Sequence, residues 1–137
     1  MNNLNFISPE IFISLSIMFL LILGVFKKNS SSLIHNLSIG FLLITVILIL
    51  NNPFNDEVIL FRNSYIIDHL SSLMKILTIL GGAFVLSIST KYLKISKIFL
   101  IEYPILILSS ILGMMVMISS NDLMVFYIGL ELQSLAL

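Results

Sequence analysis

The sequence predicts an all-α, polytopic transmembrane bundle of about five helices, and two observations lead to this fold class. Of the 137 residues, 58 % are hydrophobic and only 10 % are charged. Soluble domains carry about 25 % charged residues, so this chain has too few polar groups to cover a water-soluble surface. The charges also divide the chain into continuous apolar runs close to the ~20 residues that a membrane-spanning helix needs. These runs lack the two-residue alternation of barrel strands, which favours helices.

The same composition excludes several classes of function. An ordinary cytosolic enzyme and a disordered regulator do not fit so apolar a chain. Seven basic residues balance seven acidic ones, so no net positive field would attract a nucleic acid. There is no cysteine, which removes disulfide frameworks, thiolate metal sites and cysteine nucleophiles. The residues that remain predict an integral membrane protein in contact with lipid.

A single membrane domain over residues 1–137 is predicted, with helices at approximately 9–26, 33–50, 66–90, 103–120 and 122–137. The first helix has no basic segment before it and no cleavage site, so it is interpreted as a retained span rather than a signal peptide. The second contains His35 near its start, and with only one other histidine a metal site is not expected. The fourth begins around Pro104, whose missing N–H suits a first helical turn. The fifth follows a turn at 119–122, whose polar side chains can cap it.

The connections between the predicted helices set the orientation. The first and third connections hold five lysines, whereas the second holds Arg62 beside Asp56 and Glu57 and is interpreted as a solvated loop. By the positive-inside rule the lysine-rich connections face the cytoplasm or matrix, and the N-terminus lies on the opposite side. Several glycines in the helices, at 81, 82, 113 and 129, are expected to allow close helix contact.

Glu131 is the most informative side chain in the sequence. It lies nine residues after Asp122, which is about 14 Å along a helix and close to the bilayer midplane. A charged acid at that depth costs about 2.5–3.5 kcal/mol, and such residues commonly serve ion or proton pathways. The alternative is a neutral or paired carboxyl that only holds helices together.

Asp68 and Lys75 are seven residues apart, which places them on one face of the third helix. Lys75 would lie roughly 10 Å beyond Asp68 along the helix. One interpretation is a buried cation that stabilises carboxylates or relays protons. In the other, Lys75 extends outward to the membrane surface and Asp68 caps the helix.

Five segments together carry a family resemblance. They are Asp68–Leu77, Glu102–Leu108, Leu112–Met115, Ser119–Leu123 and Tyr127–Leu137, and the last contains the run Gly129-Leu130-Glu131-Leu132-Gln133-Ser134-Leu135-Ala136. Their order and spacing resemble the first third of subunit 2 (subunit N in bacteria) of the proton-pumping NADH:ubiquinone oxidoreductase, respiratory complex I. The opening Ser8-Pro9-Glu10 is also similar to that subunit.

The resemblance implies an antiporter-like fold of about fourteen helices built from inverted repeats. It implies that Glu131 corresponds to a proton-translocating glutamate that pairs with a lysine on a broken seventh helix, and that Lys75 corresponds to a lysine of less settled role. FMN, iron–sulfur clusters and ubiquinone would then be held by other subunits, with no redox cofactor or metal on this chain. The chain would be part of an enzyme complex and not catalytic alone.

Partners follow from the same resemblance. Because the sequence stops before a sixth helix, we expect a split subunit whose second chain supplies the remaining helices, or else a truncation. The other partners would be membrane-arm subunits of complex I, in the mitochondrial inner membrane or, alternatively, the bacterial plasma membrane. Two other functions stay open: a component of a multi-subunit cation/proton antiporter, and a structural module without its own proton path.

Overall fold

The predicted helix bundle is confirmed, and in the part of the chain that the structure describes five helices follow one another along the sequence. The computed structural model describes residues 3–27, 31–52, 58–60, 62–95 and 101–137. The helices are α1 (Asn3–Phe26), α2 (Ser31–Asn51), α3 (His69–Ile95), α4 (Glu102–Ile118) and α5 (Leu123–Ala136). Three of them, α1, α2 and α3, are long and apolar enough to cross a membrane, whereas α4 and α5 are shorter apolar helices.

The core lies among the first four helices. Its fully buried side chains come from every one of them, including Leu20 of α1, Leu42 of α2, Leu86 of α3 and Leu108 of α4. α5 lies outside this core and packs mainly along α4. Gly129 is the one residue of α5 that is buried, so most of the apolar surface of this helix remains uncovered.

Three buried hydroxyl groups form hydrogen bonds inside their own helices. Ser16, Ser38 and Thr45 are buried, and each donates a hydrogen bond to the backbone carbonyl three residues earlier, at 2.6–2.7 Å. Such bonds leave no unpaired donor toward an apolar environment. His35 is buried as well, and its Nε2 lies 2.7 Å from the Leu86 carbonyl oxygen, which ties α2 to α3.

A short β-hairpin precedes α3, where the sequence predicts a solvated loop followed by a helix from residue 66. Strand β1 (Val58–Leu60) pairs antiparallel with strand β2 (Tyr65–Ile67). Arg62 is exposed in the intervening turn with a φ of 54°, and Asn63 follows with 69°. This left-handed pair gives the turn a twist that suits a hairpin. The third helix therefore begins at His69, and it continues to Ile95 rather than to residue 90.

Asp68 caps the start of α3, which confirms one of the two predicted roles of that residue. Asp68 Oδ1 accepts a hydrogen bond from the Ser71 backbone N–H at 2.7 Å, and the Ser71 hydroxyl lies 2.9 Å from the Asp68 nitrogen. This reciprocal arrangement satisfies two donors at a helix start. The capping prediction for α5 is wrong, because Asp122 precedes the helix in an extended conformation but makes no side-chain capping bond.

Two of the glycine positions bring α4 and α5 together. A Cβ on Gly113 would lie 2.7 Å from the Gln133 backbone nitrogen, and one on Gly129 would lie 3.0 Å from the Gly113 carbonyl oxygen. Only hydrogen fits there, so the prediction of close contact is confirmed for these two glycines. The prediction is also confirmed for Gly82, where an added Cβ would collide with the Ile111 side chain. It is not confirmed for Gly81, because a Cβ there would meet nothing within 4 Å. The charged residues Lys28, Asp56, Glu57 and Lys97 lie outside the described residues.

Candidate functional site: a buried ion pair and a half-buried carboxyl

Lys75 is buried and paired with an acid on the first helix. Its side chain is 3 % exposed, and its Nζ forms an ion pair with Oε1 of Glu10, which is 7 % exposed. The two residues are 65 positions apart in the sequence. Of the two interpretations of Lys75, the structure therefore agrees with the buried cation that stabilises a carboxylate, and not with a side chain extended to the membrane surface.

Tyr65 of β2 completes this cluster. Its hydroxyl donates a 2.7 Å hydrogen bond to the same Glu10 oxygen, and Lys75 Nζ lies 3.5 Å from that hydroxyl and 5.3 Å from the ring centroid. Burial, and then the nearby Glu10 carboxylate, raise the pKa of Tyr65 far above its usual range, although the adjacent buried Ser119 opposes this. Tyr65 consequently stays a neutral hydrogen-bond donor at physiological pH. Glu10, Tyr65 and Lys75 are called the Glu10 cluster below.

One oxygen of Glu10 stays outside this network. Oε2 is buried and accepts no hydrogen bond from any described residue. The carboxylate is stabilised entirely through Oε1, where Lys75 and Tyr65 converge. If the Lys75 ammonium group were removed, the Glu10 carboxylate would be left as an unpaired buried charge, which is costly in a low-dielectric interior.

Sequence reasoning did not identify Glu10 or Tyr65 as site residues. A signal for Glu10 was nevertheless present, because the one acid of α1 and the first lysine of α3, Lys75, lie at similar distances from the starts of their helices. Intramembrane charges commonly pair with one another. No comparable signal marked Tyr65, since its position depends on a hairpin that the sequence pattern did not reveal.

Glu131 lies on α5 and is half-buried against the rest of the chain. Tyr127, one turn earlier on the same helix, has its hydroxyl within interaction range of the Glu131 carboxylate. No lysine or arginine in the described part of the chain forms an ion pair with it. Within the described residues, no ion pair or hydrogen bond joins Glu131 to the Glu10 cluster, so Glu131 and Lys75, the two candidate site residues of the sequence, are not paired with each other.

These features define a class: a polytopic α-helical membrane protein with ionisable side chains placed within its spans. No family model matches the chain. A curated relative, NADH-quinone oxidoreductase subunit N of Pelagibacter ubique, is 80 % identical over all 137 residues. The proteins of that name from Bartonella bacilliformis and Rhodospirillum rubrum are 46 % and 39 % identical over 96 % and 94 % of the chain.

The resemblance to subunit N is therefore confirmed: over its whole length this chain is homologous to part of NADH-quinone oxidoreductase subunit N. It spans 29 % of the length of the Pelagibacter protein and 27 % of the other two.

Proposed function

We propose that this chain is a core component of the membrane arm of an NADH-quinone oxidoreductase and contributes to proton translocation coupled to quinone reduction. The observation that carries the proposal is the 80 % identity, over the entire chain, to a protein named as subunit N of that enzyme. The apolar helices agree with such a place, because three of them are long enough to span the bilayer.

In this proposal Glu131 binds the translocated proton. A carboxyl at this depth is costly when charged and has no cationic partner among the described residues, so its protonation can respond to a cation brought close by another part of the complex. α5 leaves most of its surface uncovered, which provides room for that part to pack. The resemblance points to a lysine on a later, broken helix of subunit N as the cation.

The remaining expectations complete the proposal. The Pelagibacter, Bartonella and Rhodospirillum relatives are bacterial, which favours the plasma membrane over the mitochondrial inner membrane, with the N-terminus on the periplasmic side. FMN, iron–sulfur clusters and ubiquinone belong to other subunits. The partners are the other membrane-arm subunits of the enzyme.

Co-purification tests the first part of the proposal. The chain, isolated from its native membrane in mild detergent, should carry with it a protein arm that contains flavin and iron–sulfur clusters. An intact assembly that lacks both would contradict membership of the oxidoreductase.

A substitution tests the role of Glu131. In the assembled enzyme, Glu131→Gln should lower the rate of proton pumping by roughly tenfold or more, since a positioned proton-transfer group accelerates proton transfer by at least that factor. Glu102→Gln is the matched control, because Glu102 is an exposed acid in the first turn of α4. Unchanged pumping in correctly assembled Glu131→Gln enzyme would refute the proposed role.

A further inference from the structure

The Glu10 cluster joins two helices, α1 and α3, that otherwise share the neighbours α2 and α4 and make little direct contact with each other. At the end of the bundle where α1 and α3 begin, the Glu10–Lys75 ion pair bridges the two helices directly, and Tyr65 brings β2 onto the same carboxylate. Three separate segments of the chain are therefore held at one carboxylate oxygen.

The hairpin that carries Tyr65 is in turn bonded to the turn between α4 and α5. The Ile66 backbone N–H donates to the Ser119 carbonyl at 2.8 Å, and the Asn121 backbone N–H donates to the Ser64 carbonyl at 2.9 Å. The Asn121 side-chain amide also donates to the Asn63 carbonyl at 2.7 Å. β2 and the 119–121 segment thus form a short antiparallel pairing outside the hairpin itself.

Apolar contact extends this connection onto α5. Val125 of α5 and Ile7 of α1 both pack against the buried pair Tyr65 and Ile67. Val125 is six residues before Glu131, about 9 Å along the helix. Since α5 has no side-chain cap at Asp122 and little burial of its own, its position depends on its packing along α4, which includes the glycine crossing, together with these contacts to the hairpin.

We propose that Glu10, Lys75 and Tyr65 are positioning residues for Glu131. The ion pair and the tyrosine hold the hairpin against α1 and α3, the hairpin holds the α4–α5 turn and Val125, and α5 is thereby kept at the height and rotation that Glu131 needs. Lys75 acts in this arrangement as a fixed countercharge to Glu10 and does not pass protons itself. The role of the cluster in proton transfer rests on the proposed function of Glu131, whereas its mechanical role does not.

Disulfide trapping tests the mechanical role without reference to pumping. The chain contains no cysteine, so Ser64→Cys with Asn121→Cys introduces one pair, across a pairing where Cα atoms lie within disulfide range. In the assembled complex this pair should oxidise rapidly. Adding Lys75→Met should slow crosslinking by about fivefold or more, because the hairpin then separates from the turn more often. Lys91→Met, an exposed lysine later on α3, is the control. Equal rates with Lys75→Met and Lys91→Met would overturn the proposal.

Tyr65→Phe gives a milder perturbation in case Lys75→Met fails to assemble. It removes the donor to Glu10 but keeps the ring, and we expect a crosslinking rate between those of the parent and Lys75→Met. A rate equal to that of the parent, in the absence of assembled Lys75→Met enzyme, would count against the proposal.

Charge reversal and double substitution separate positioning from proton relay. Glu10→Lys combined with Lys75→Glu keeps a buried pair, so it should restore both crosslinking and pumping relative to Lys75→Met. Restored crosslinking without restored pumping would show that Lys75 itself relays protons and would refute the positioning role.

If Glu131→Gln alone lowers pumping, Lys75→Met added to it should lower pumping no further, because both changes act through Glu131. If Glu131→Gln alone has no effect, the function proposed for Glu131 fails while the crosslinking result still decides the mechanical role.

Discussion

The loss of Lys75 should be the most destabilising single charge removal in the described part of the chain. Lys75→Met replaces the ammonium by an apolar side chain of similar length and leaves the Glu10 carboxylate buried. Tyr65 then remains the one donor to Oε1, and Oε2 has none among the described residues. Removing one partner of a buried ion pair costs about 3–5 kcal/mol. Since proteins are stable by roughly 5–15 kcal/mol, this is a large part of the free energy of unfolding.

The double variant Glu10→Gln/Lys75→Met should be far less damaging than either single change. It removes both charges, so no uncompensated charge is left, and such replacements of a buried pair are often close to neutral. We expect the free energy of unfolding to fall by only about 1 kcal/mol, because the amide oxygen at position 10 can still accept from the Tyr65 hydroxyl and only the charge assistance of that hydrogen bond is lost. The two single costs are therefore strongly non-additive.

Reversible unfolding in mixed detergent micelles, followed by circular dichroism, measures these free energies. Lys91→Met, an exposed lysine on the same helix, should change stability by no more than about 0.5 kcal/mol. The reasoning fails if Lys75→Met lies within about 1 kcal/mol of that control. It fails equally if the double variant costs the sum of the two single variants, because the pair would then contribute nothing as a pair.

Two further outcomes follow from the structure. Gly113→Ala should separate α4 from α5 and lower the thermal unfolding temperature, because its Cβ meets backbone 2.7 Å away, whereas Gly81→Ala has open space and should be neutral or stabilising by up to ~1 kcal/mol. The raised pKa of Tyr65 predicts stability that is full below its ordinary value of about 10 and is lost as the pH rises above it. The free energy of unfolding, measured at pH 9 and at pH 11, should therefore fall less in Tyr65→Phe than in the parent protein. An equal fall in both proteins would contradict this prediction.

The number and order of helices could be predicted because charge spacing sets helix length in a membrane chain. The loop between α2 and α3 could not be predicted in the same way. Its strands are three residues each, too short for a two-residue period to stand out beside the apolar run of α3. The apolar pattern consequently predicts a start for α3 at residue 66, three residues before the observed start at His69.

The candidate site was predictable to the extent that it depended on local spacing. The positions of Glu131 and Lys75 along their helices predict that both side chains lie within the membrane, and one interpretation of Asp68 predicts a helix cap. The partner of Lys75 depends instead on a contact between residues 65 positions apart, which no local pattern encodes. The side-chain bond missing at Asp122 shows the same limit, since the α4–α5 turn uses its polar groups for the hairpin rather than for the helix that follows.

The long sequence separation between Glu10 and Lys75 bears on how the chain enters the bilayer. At about 5–20 residues synthesised per second, α1 is complete several seconds before Lys75 is added. Throughout that interval Glu10 lacks its ammonium partner, and a charged acid within the hydrocarbon layer costs up to about 2.5–3.5 kcal/mol. The newly made α1 therefore either holds Glu10 at headgroup level or bears this cost until α3 arrives. On this account the final, ion-paired state of α1 is reached only after α3 has been inserted.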